Sequence, residues 1–228
     1  MYKLGKSVIC LLLILPGHTL AEGLDTLEQK ASYSLGVNFA NNLRKQIKEL
    51  DMDAFTRGMQ DAMAGSELAL SSEEMEDAKA KYRQQMQEML AAKQAELGKK
   101  NKEEGDTFLA ANKNKPGVVT TESGLQYKVI TPGTGKTPGE NDIVVTHYRG
   151  TLIDGREFDS SYSRNKPATF PLKSIIKGWS EALQLMKVGG KWELYIPAEL
   201  AYGSSSRGGL IGPNSTLLFE VELLEIKE

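Results

Sequence analysis

The charge and residue inventory of the 228-residue chain excludes several classes of protein. Its 28 basic and 30 acidic side chains give a formal net charge of −2, spread evenly, so nothing in it attracts nucleic acid or an anionic membrane. The chain has one cysteine and two histidines, and only His147 lies outside the leader described next. This inventory excludes Cys/His zinc sites, internal disulfides of an exported chain, and Ser-His or Cys-His hydrolytic machinery.

The N-terminus has the layout of a secretory signal peptide. Two lysines precede an apolar run from Val8 to Leu15, and small residues suit cleavage after Ala21. The run is roughly half of the ~20 residues that a membrane span needs, so residues 1–21 are predicted to be removed. The mature chain is therefore expected to be exported and to have no membrane span.

The remaining sequence divides into two parts with different local preferences. Seven of the eight prolines lie between Pro116 and Pro213, and none lies between Gly17 and Lys115. Because proline breaks helices, the first part is predicted to be helical and the second to consist of strands and turns. Apolar side chains recur at three- and four-residue spacing from Leu24 to Ile47, which predicts a first amphipathic helix.

Two further helices are predicted from their end signals. Asp53 is placed to cap a second helix, which Gly65 would end. Ser71 and Glu74 form a capping box that begins a third helix. Without proline or another strong stop, this third helix is expected to extend to about Asn112.

The helical part is predicted to form a homodimer. After Leu97 the third helix is polar on all sides, a pattern typical of a helix that bridges solvent or frays. Gly98 and Gly105 each cost about 1 kcal/mol relative to alanine, so bending is expected there. The short amphipathic helices bury too little apolar surface alone, which favours dimerisation through residues 24–90. Their methionines suit a dimer core or, alternatively, an adaptable surface for client proteins.

The second part alternates apolar and polar residues from Gly124 onward, as half-buried strands do. Asp154 and Gly155 have the signature of a two-residue hairpin turn. Mainly antiparallel strands with one helix make an α+β domain. The predicted elements are strands near 125–129, 143–148, 151–153, 156–158, 192–196 and 217–226, and one helix from Ser174 to Met186 that Gly189 and Gly190 would end.

Several spaced blocks resemble one enzyme family. The stretches VVTHYRGTLIDGREFDSSYSRNKPATF, IIKGWSEALQLMKVGGKWELYIPAELAYG and IGPNSTLLFEVELLEI closely resemble peptidyl-prolyl isomerases of the FKBP type, across nearly all of residues 120–228. KASYSLGVNFANNL and DAFTRGMQDAMAG are similar to the dimerisation module of the Mip and FkpA group of exported bacterial isomerases. The resemblance implies a dimerisation domain at 22–70, a long connecting helix at 71–115 and an isomerase domain at 116–228. For an exported protein of this group it also implies the periplasm of a Gram-negative bacterium or, alternatively, the outer surface.

The resemblance also implies a fold and a site. The isomerase domain is expected to be an antiparallel sheet of five or six strands wrapped around the short helix, with the active pocket between them. Arg164 is expected to pair with the carboxylate of Asp159. Arg207 and Gly212 depart from the family pattern, which puts substrate preference in doubt. Family positions assign catalysis to Phe158, Asp159, Trp179 and Tyr202, and substrate binding to Tyr148, Phe170, Ile175, Ile176, Ile211 and Phe219.

Roles within the pocket follow the family as well. Trp179 would form its floor and Ile211 would lie in the covering loop. The Ile176 amide and the Tyr202 hydroxyl would donate hydrogen bonds to ligand carbonyls, while the carboxylate of Asp159 would lie beside the twisting bond. Ligands would be proline-containing unfolded polypeptides and macrolide inhibitors.

The predicted function is therefore isomerisation of X-Pro bonds in exported proteins, without a covalent step, accompanied by chaperone activity. Ser160, Ser161 and Ser163 are interpreted as turn-capping residues, because no base is available to activate them. The acidic run at 73–77 is interpreted as a helix start, so no metal and no cofactor are expected. The alternative is a holdase chaperone or host-interaction factor that uses a cleft between helical arms.

Overall fold

The computed structural model describes residues 23–46 and 50–227. The predicted leader at 1–21 lies outside the described residues. The chain divides into two compact units, one up to Met75 and one from Glu76. None of the described helices combines the length and the apolarity that crossing a membrane requires. The helices are α1 (Leu27–Gln46), α2 (Met52–Ala64), α3 (Ser72–Asn112) and α4 (Lys177–Leu183).

Capping residues explain where α2 and α3 begin and end. The Asp51 carboxylate accepts the backbone N–H groups of Asp53 at 3.1 Å and Ala54 at 2.9 Å, so Asp51 is the cap. The prediction that Asp53 caps α2 is wrong, because the extended backbone that a cap requires occurs two residues earlier. Gly65, with a φ of 64°, ends α2 as predicted.

The predicted capping box of α3 is confirmed. The Ser71 amide donates to the Glu74 carboxylate at 2.8 Å, and the Glu74 amide donates to the Ser71 hydroxyl at 3.2 Å. Two donors at the helix start are thereby satisfied reciprocally. The helix then continues to Asn112, the predicted end.

The first unit leaves much of its apolar surface uncovered. Phe39 and Phe55 stack with ring centroids 6.0 Å apart and join α1 to α2. In contrast, Leu27, Leu35 and Met63 are 81%, 70% and 92% exposed. Side chains of this size are normally buried, so this unit has apolar faces without a partner in the described part of its own chain.

The second unit contains a seven-stranded antiparallel sheet, where five or six strands were expected. The order along the sheet is β1-β2-β6-β7-β3-β4, and β5 pairs with the same edge of β3 as β4 does, further toward the start of β3. The two strands missing from the sequence prediction, β1 and β5, are short edge strands. The strands are β1 (Val118–Thr120), β2 (Gln126–Pro132), β3 (Ile143–Leu152), β4 (Glu157–Ser160), β5 (Ala168–Pro171), β6 (Gly190–Ile196) and β7 (Leu217–Lys227).

The turn between β3 and β4 is wider than predicted. The Gly155 amide donates to the Leu152 carbonyl at 3.0 Å, and the Leu152 amide donates to the Arg156 carbonyl at 2.9 Å. Ile153 and Asp154 therefore occupy the centre of the turn, and Gly155 follows with a φ of 84°. This is a three-residue connection with glycine in the left-handed position, not a two-residue turn at Asp154 and Gly155.

The helix α4 is shorter than predicted and lies tightly on the sheet. It spans Lys177–Leu183, whereas the prediction ran from Ser174 to Met186. The predicted stop at Gly189 and Gly190 is wrong, since Gly190 already begins β6. A Cβ atom on Gly178 would lie 2.5 Å from Ile196 Cγ2, so glycine permits the close approach of α4 to β6.

The core lies between α4 and the sheet. Most of its apolar side chains come from the helix and from the strands β3, β6 and β7. Its largest fully buried members include Leu183, Met186, Leu194, Ile196, Leu217, Leu223, Val144 and Val221.

The last part of α3 packs on this domain instead of bridging solvent. Gly98 and Gly105 are buried, and a Cβ on Gly105 would lie 2.3 Å from the Thr216 hydroxyl. The side-chain amide of Asn101 donates to the Pro213 carbonyl at 2.8 Å. The helix is unbroken at both glycines, so the alternative of a frayed helix is wrong, while the expected bending stays a prediction. The glycines are required by close packing.

Candidate active site

An open cleft of about 910 Å³ lies between α4 and the sheet, at the end covered by residues 201–211. It brings together all ten residues that the family resemblance proposed for catalysis and substrate binding. These are Tyr148, Phe158, Asp159, Phe170, Ile175, Ile176, Trp179, Tyr202, Ile211 and Phe219.

Aromatic rings packed edge to face form the apolar part of the cleft. The Trp179 ring centroid is 5.2 Å from that of Tyr148, 5.8 Å from Phe170 and 5.2 Å from Phe219, with interplanar angles of 80–86°. Phe158 meets Phe219 in the same way at 5.4 Å. Such pairs are favourable beyond the area that they bury. Trp179 is 4% exposed, and packing fixes it.

A glycine on β3 makes this aromatic arrangement sterically permissible. A Cβ atom on Gly150 would lie 2.6 Å from Phe158 and 2.8 Å from Phe219. No side chain fits at that position without displacing both rings. The sequence pattern gave no sign of this requirement.

A charged cluster borders the aromatic rings. The Tyr148 hydroxyl donates to Asp159 Oδ2 at 2.5 Å, and Arg164 Nη1 donates to Asp159 Oδ1 at 2.5 Å. Arg164 Nη2 also donates to the Tyr148 hydroxyl oxygen at 2.8 Å. Arg164 lies outside the cleft lining and binds the carboxylate from behind, so each of the three polar groups has two partners in the cluster.

This cluster determines the charge of Asp159. Burial alone would raise the pKa of its carboxyl group, but the hydrogen bonds from Tyr148 and Arg164 outweigh it and the pKa is lowered. Burial and the bond to Asp159 together raise the pKa of the Tyr148 phenol. At neutral pH Asp159 is therefore a carboxylate and Tyr148 a hydrogen-bond donor. Neither group is poised to exchange a proton.

The Ile176 amide and the Tyr202 hydroxyl are donors that line the cleft and have no partner in the described part of the chain. Ile176 precedes α4 with extended backbone (φ −60°, ψ 146°), and its carbonyl accepts from the amides of Trp179 and Ser180 at 3.0 and 3.1 Å. No described protein group accepts from its own amide. The Tyr202 hydroxyl is likewise without a protein partner there, while its ring is covered by the guanidinium of Arg207 at 4.7 Å.

The serines next to Asp159 serve the backbone. Ser160 Oγ accepts the amides of Tyr162 and Ser163 at 3.2 and 3.4 Å. Ser161 is fully buried, and its Oγ accepts the Tyr148 amide at 2.8 Å. His147 Nδ1 lies 2.9 Å from Ser161 Oγ, so the expectation that no base is available to these serines is wrong for Ser161. Burial and the backbone bonds nevertheless prevent this hydroxyl from reaching a substrate.

The prediction missed several residues of the cleft. Ser174 and Lys177 flank the predicted isoleucines, and Glu157 precedes Phe158. The segment 207–210 lines the cleft because Gly208 and Gly209 adopt positive φ values of 73° and 57° and return the chain toward Ile211. The only sequence signal for this segment was the departure at Arg207. No group of His, Cys, Asp or Glu suited to a metal ion occurs among the described residues.

A sheet wrapped on one short helix, with an aromatic cleft and free hydrogen-bond donors between them, defines a domain suited to binding an apolar ligand that carries hydrogen-bond acceptors. Comparison with known proteins identifies the family. Residues 134–224 match the FKBP-type peptidyl-prolyl cis-trans isomerase family, and residues 28–129 match the domain amino terminal to FKBP-type peptidyl-prolyl isomerase.

Individual relatives agree over most of the chain. The outer membrane protein MIP of Legionella longbeachae is 47% identical over 211 residues, covering 91% of this chain and 89% of the relative. The peptidyl-prolyl cis-trans isomerase Mip of Coxiella burnetii is 45% identical, covering 91% and 90%. The crystal structure of FkpA from Escherichia coli matches with a TM-score of 0.72 at 38% identity, covering 89% and 98%.

The chain belongs to the FKBP-type peptidyl-prolyl cis-trans isomerases, as the sequence blocks predicted. Within them it resembles the Mip and FkpA proteins in both its N-terminal and its C-terminal parts. It is therefore an enzyme, and its reaction is rotation about X-Pro peptide bonds.

Proposed function

We propose that the cleft between α4 and the sheet is where this rotation occurs, and that no covalent intermediate forms. The observation that carries the proposal is the convergence of the aromatic rings, the Asp159 carboxylate and the free donors of Ile176 and Tyr202 on one cleft. Catalytic roles go to Phe158, Asp159, Trp179 and Tyr202. The binding surface is formed by Tyr148, Phe170, Ile175, Ile176, Ile211 and Phe219.

The physical chemistry of the amide bond explains why such a cleft suffices. Unaided X-Pro isomerisation takes tens to hundreds of seconds because rotation breaks amide resonance. The planar amide carries partial charges on nitrogen and oxygen, and the twisted amide loses much of that separation. An apolar cleft therefore disfavours the planar ground state relative to the twisted state. A 10⁴-fold acceleration needs only about 5.5 kcal/mol of preferential stabilisation.

Each part of the cleft has a role in this scheme. The proline ring packs on Trp179, and the Ile176 amide and Tyr202 hydroxyl hold peptide carbonyls on either side of the bond. The Asp159 carboxylate, fixed by Tyr148 and Arg164, faces the rotating amide as an orienting charge. A proline ring seated on the aromatic rings displaces water from that part of the open cleft, which lowers the local dielectric constant around the rotating bond.

The test is the relaxation rate of an X-Pro tetrapeptide with purified residues 22–228. Strong acceleration is expected, and Phe158→Ala should remove most of it because the rotating bond loses one apolar wall. The matched control is Phe108→Ala, which truncates an equally half-buried ring that contacts Tyr195, outside the cleft. Equal losses in both variants, with folding verified by near-ultraviolet circular dichroism, would contradict this placement.

We further propose that the mature protein is an exported homodimer with a dimerisation domain at 22–70, a connecting helix at 71–115 and an isomerase domain at 116–228. The exposed apolar faces of α1 and α2 support the dimer, and the name of the outer membrane protein from Legionella longbeachae supports export. The periplasm is the proposed location, with chaperone activity accompanying isomerisation. Proline-containing unfolded polypeptides are the proposed clients, and macrolides the proposed inhibitors.

The dimer proposal predicts the behaviour of a fragment that begins at Glu76. This fragment keeps the part of α3 that packs on the sheet, so it should fold, sediment as a monomer and isomerise short peptides at the rate of the full mature chain. It should refold unfolded proteins poorly, because it lacks the apolar surface of α1 and α2. A fragment that sediments as a dimer in analytical ultracentrifugation would refute the placement of the interface.

A further inference from the structure

We propose that Arg207 and Lys177 make the cleft selective for peptides that carry a carboxylate side chain next to the proline. The proposal rests on the proposed function, because it concerns substrate choice at the same cleft. It makes these two residues determinants of specificity and leaves the isomerisation chemistry to the aromatic rings and Asp159.

The first step is the charge balance of the cleft lining, which contains two carboxylates and two cations. Both carboxylates are neutralised inside the protein. Asp159 is bound by Arg164, and Glu157 Oε2 accepts from Arg149 Nε at 2.7 Å. Arg149 and Arg164 are not part of the lining, so both anions of the lining are paired with cations that lie outside it.

The two cations of the lining are not neutralised in this way. Within the described part of the chain, no carboxylate lies within ion-pair distance of Lys177 or Arg207. The cleft therefore presents two uncompensated positive charges to a ligand. Charges of one sign in a cleft with apolar walls attract ligands of the opposite sign more strongly than the same charges on an open surface.

The second step is the fixed position of Arg207. Its guanidinium stacks on the Tyr202 ring with Cζ 4.7 Å from the centroid, which is favourable as a cation–π contact. Its amide donates to the Ile211 carbonyl at 3.1 Å, and the Ser206 hydroxyl donates to the same oxygen at 3.2 Å. The loop is thereby closed on itself, and the charge is held over the residue proposed to bind a substrate carbonyl.

The third step is the reach of the substrate. If the proline ring lies on Trp179 and a neighbouring carbonyl accepts from Tyr202, the residues on either side of the proline leave the cleft past its rim. A glutamate or aspartate there comes within range of a long cationic side chain. Lys177, the first residue of α4 after Ile176, supplies a second charge from another element of the lining.

The experiment compares terminally blocked peptides that differ only in one residue. Glutamate, glutamine or lysine is placed directly before or directly after the proline, and kcat/KM is measured at low and high salt. At low salt we expect kcat/KM of the glutamate peptide to exceed that of the glutamine peptide by about threefold for each cation that the carboxylate reaches. The lysine peptide should have the lowest kcat/KM. The preference should shrink toward unity at 1 M salt, where charges are screened within about 3 Å.

The variants assign the effect to residues. Arg207→Gln and Lys177→Gln should each lower the glutamate-to-glutamine ratio, and the double variant should bring it to about one. Arg207→Lys should keep part of the preference, since the charge remains. Lys173→Gln is the control, because Lys173 is an exposed lysine just before α4 that does not line the cleft, and it should leave the ratio unchanged.

Each outcome decides between the proposals. A wild-type ratio near one for both peptide positions, with normal turnover of the glutamine peptides, would overturn the selectivity and leave the isomerase site intact. A preference that survives in the double variant would overturn its assignment to these residues. If the folded protein turned over no peptide at all, the proposed catalytic cleft would fail instead.

Discussion

Replacement of Asp159 by asparagine is expected to lower kcat/KM for an X-Pro peptide at least tenfold, which corresponds to about 1.4 kcal/mol of transition-state stabilisation. The carboxylate faces the cleft between Tyr148 and Arg164, and both of its oxygens are held by hydrogen bonds. Asparagine keeps the shape but removes the charge. It also offers an N–H group where one of the two donors needs an acceptor, so part of the cluster is left unpaired.

A matched control separates this effect from the general loss of a surface ion pair. Asp154 pairs with Arg156 in the turn between β3 and β4, with Oδ2 2.7 Å from Arg156 Nη2. Asp154→Asn therefore removes an aspartate–arginine pair outside the cleft, and kcat/KM should be unchanged. Equal losses for the two asparagine variants would mean that Asp159 acts only through stability.

The pH dependence provides a second check on Asp159. Its pKa is lowered in the folded chain, so its stabilising interactions are present above its usual unfolded pKa of about 3.9 and are lost as pH falls through the lower folded value. Arg164→Gln removes one cause of the lowering. Catalysis and stability in that variant should therefore begin to fall at a higher pH than in wild type. If the variant and the wild type lost activity and stability over the same acidic pH range, Arg164 would not control the pKa of this carboxylate.

The helical part could be predicted from the sequence because its signals are local. A capping box at Ser71 and Glu74, followed by a run without proline, specified α3 from its first turn to Asn112. The edge strands β1 and β5 were missed because three or four residues are too few to display alternation and neither strand follows a hairpin signature, whereas the equally short β4 follows Asp154 and Gly155. The cap of α2 was misplaced because Asp51 and Asp53 are chemically equivalent, and only the backbone conformation distinguishes them.

The cleft could be predicted from the resemblance but not from periodicity. Its residues come from β3, β4, β5, the segment between β5 and α4, α4 itself, the loop before β7, and β7, and no local pattern brings these segments together. All ten pocket residues that were proposed from the family resemblance line one cleft. The segment 207–210 was missed because its conformation depends on two glycines and on the stacking of Arg207 on Tyr202. His147 was not identified as the partner of Ser161, because the two residues come into contact only when β3 pairs with β4.

The glycines of α3 show most clearly how tertiary packing reverses a local preference. In isolation each glycine weakens a helix relative to alanine. In the folded chain, Gly98 lies against Pro213 and Asn214, and Gly105 lies against Thr216. These partners belong to the segment that joins the loop over the cleft to β7. The close approach therefore attaches the end of α3 to the wall of the isomerase domain.

From this packing we predict a change in the free energy of unfolding that is opposite in sign to the change expected from helix propensity. Gly105→Ala should lower the free energy of unfolding by about 1–3 kcal/mol, the usual cost of overpacking, because its Cβ would lie 2.3 Å from Thr216 Oγ1. Gly58→Ala is the control: beyond the neighbouring turns of α2, a Cβ atom on Gly58 would meet no atom of the described residues within 4 Å, so alanine should stabilise by up to about 1 kcal/mol. Both values can be measured by urea denaturation.

The origin of the effect can be tested by relieving the clash. Thr216→Ala removes the hydroxyl that the new methyl group would meet. The Cβ atom of residue 216 remains, but it lies 3.3 Å from the Cβ position of residue 105 and needs little adjustment. The double variant with Gly105→Ala should therefore be more stable than the sum of the single changes predicts, since the two sites are in contact. If Gly105→Ala alone raised the unfolding midpoint, α3 would not be docked on this wall, and its glycines would be flexible points of the helix after all.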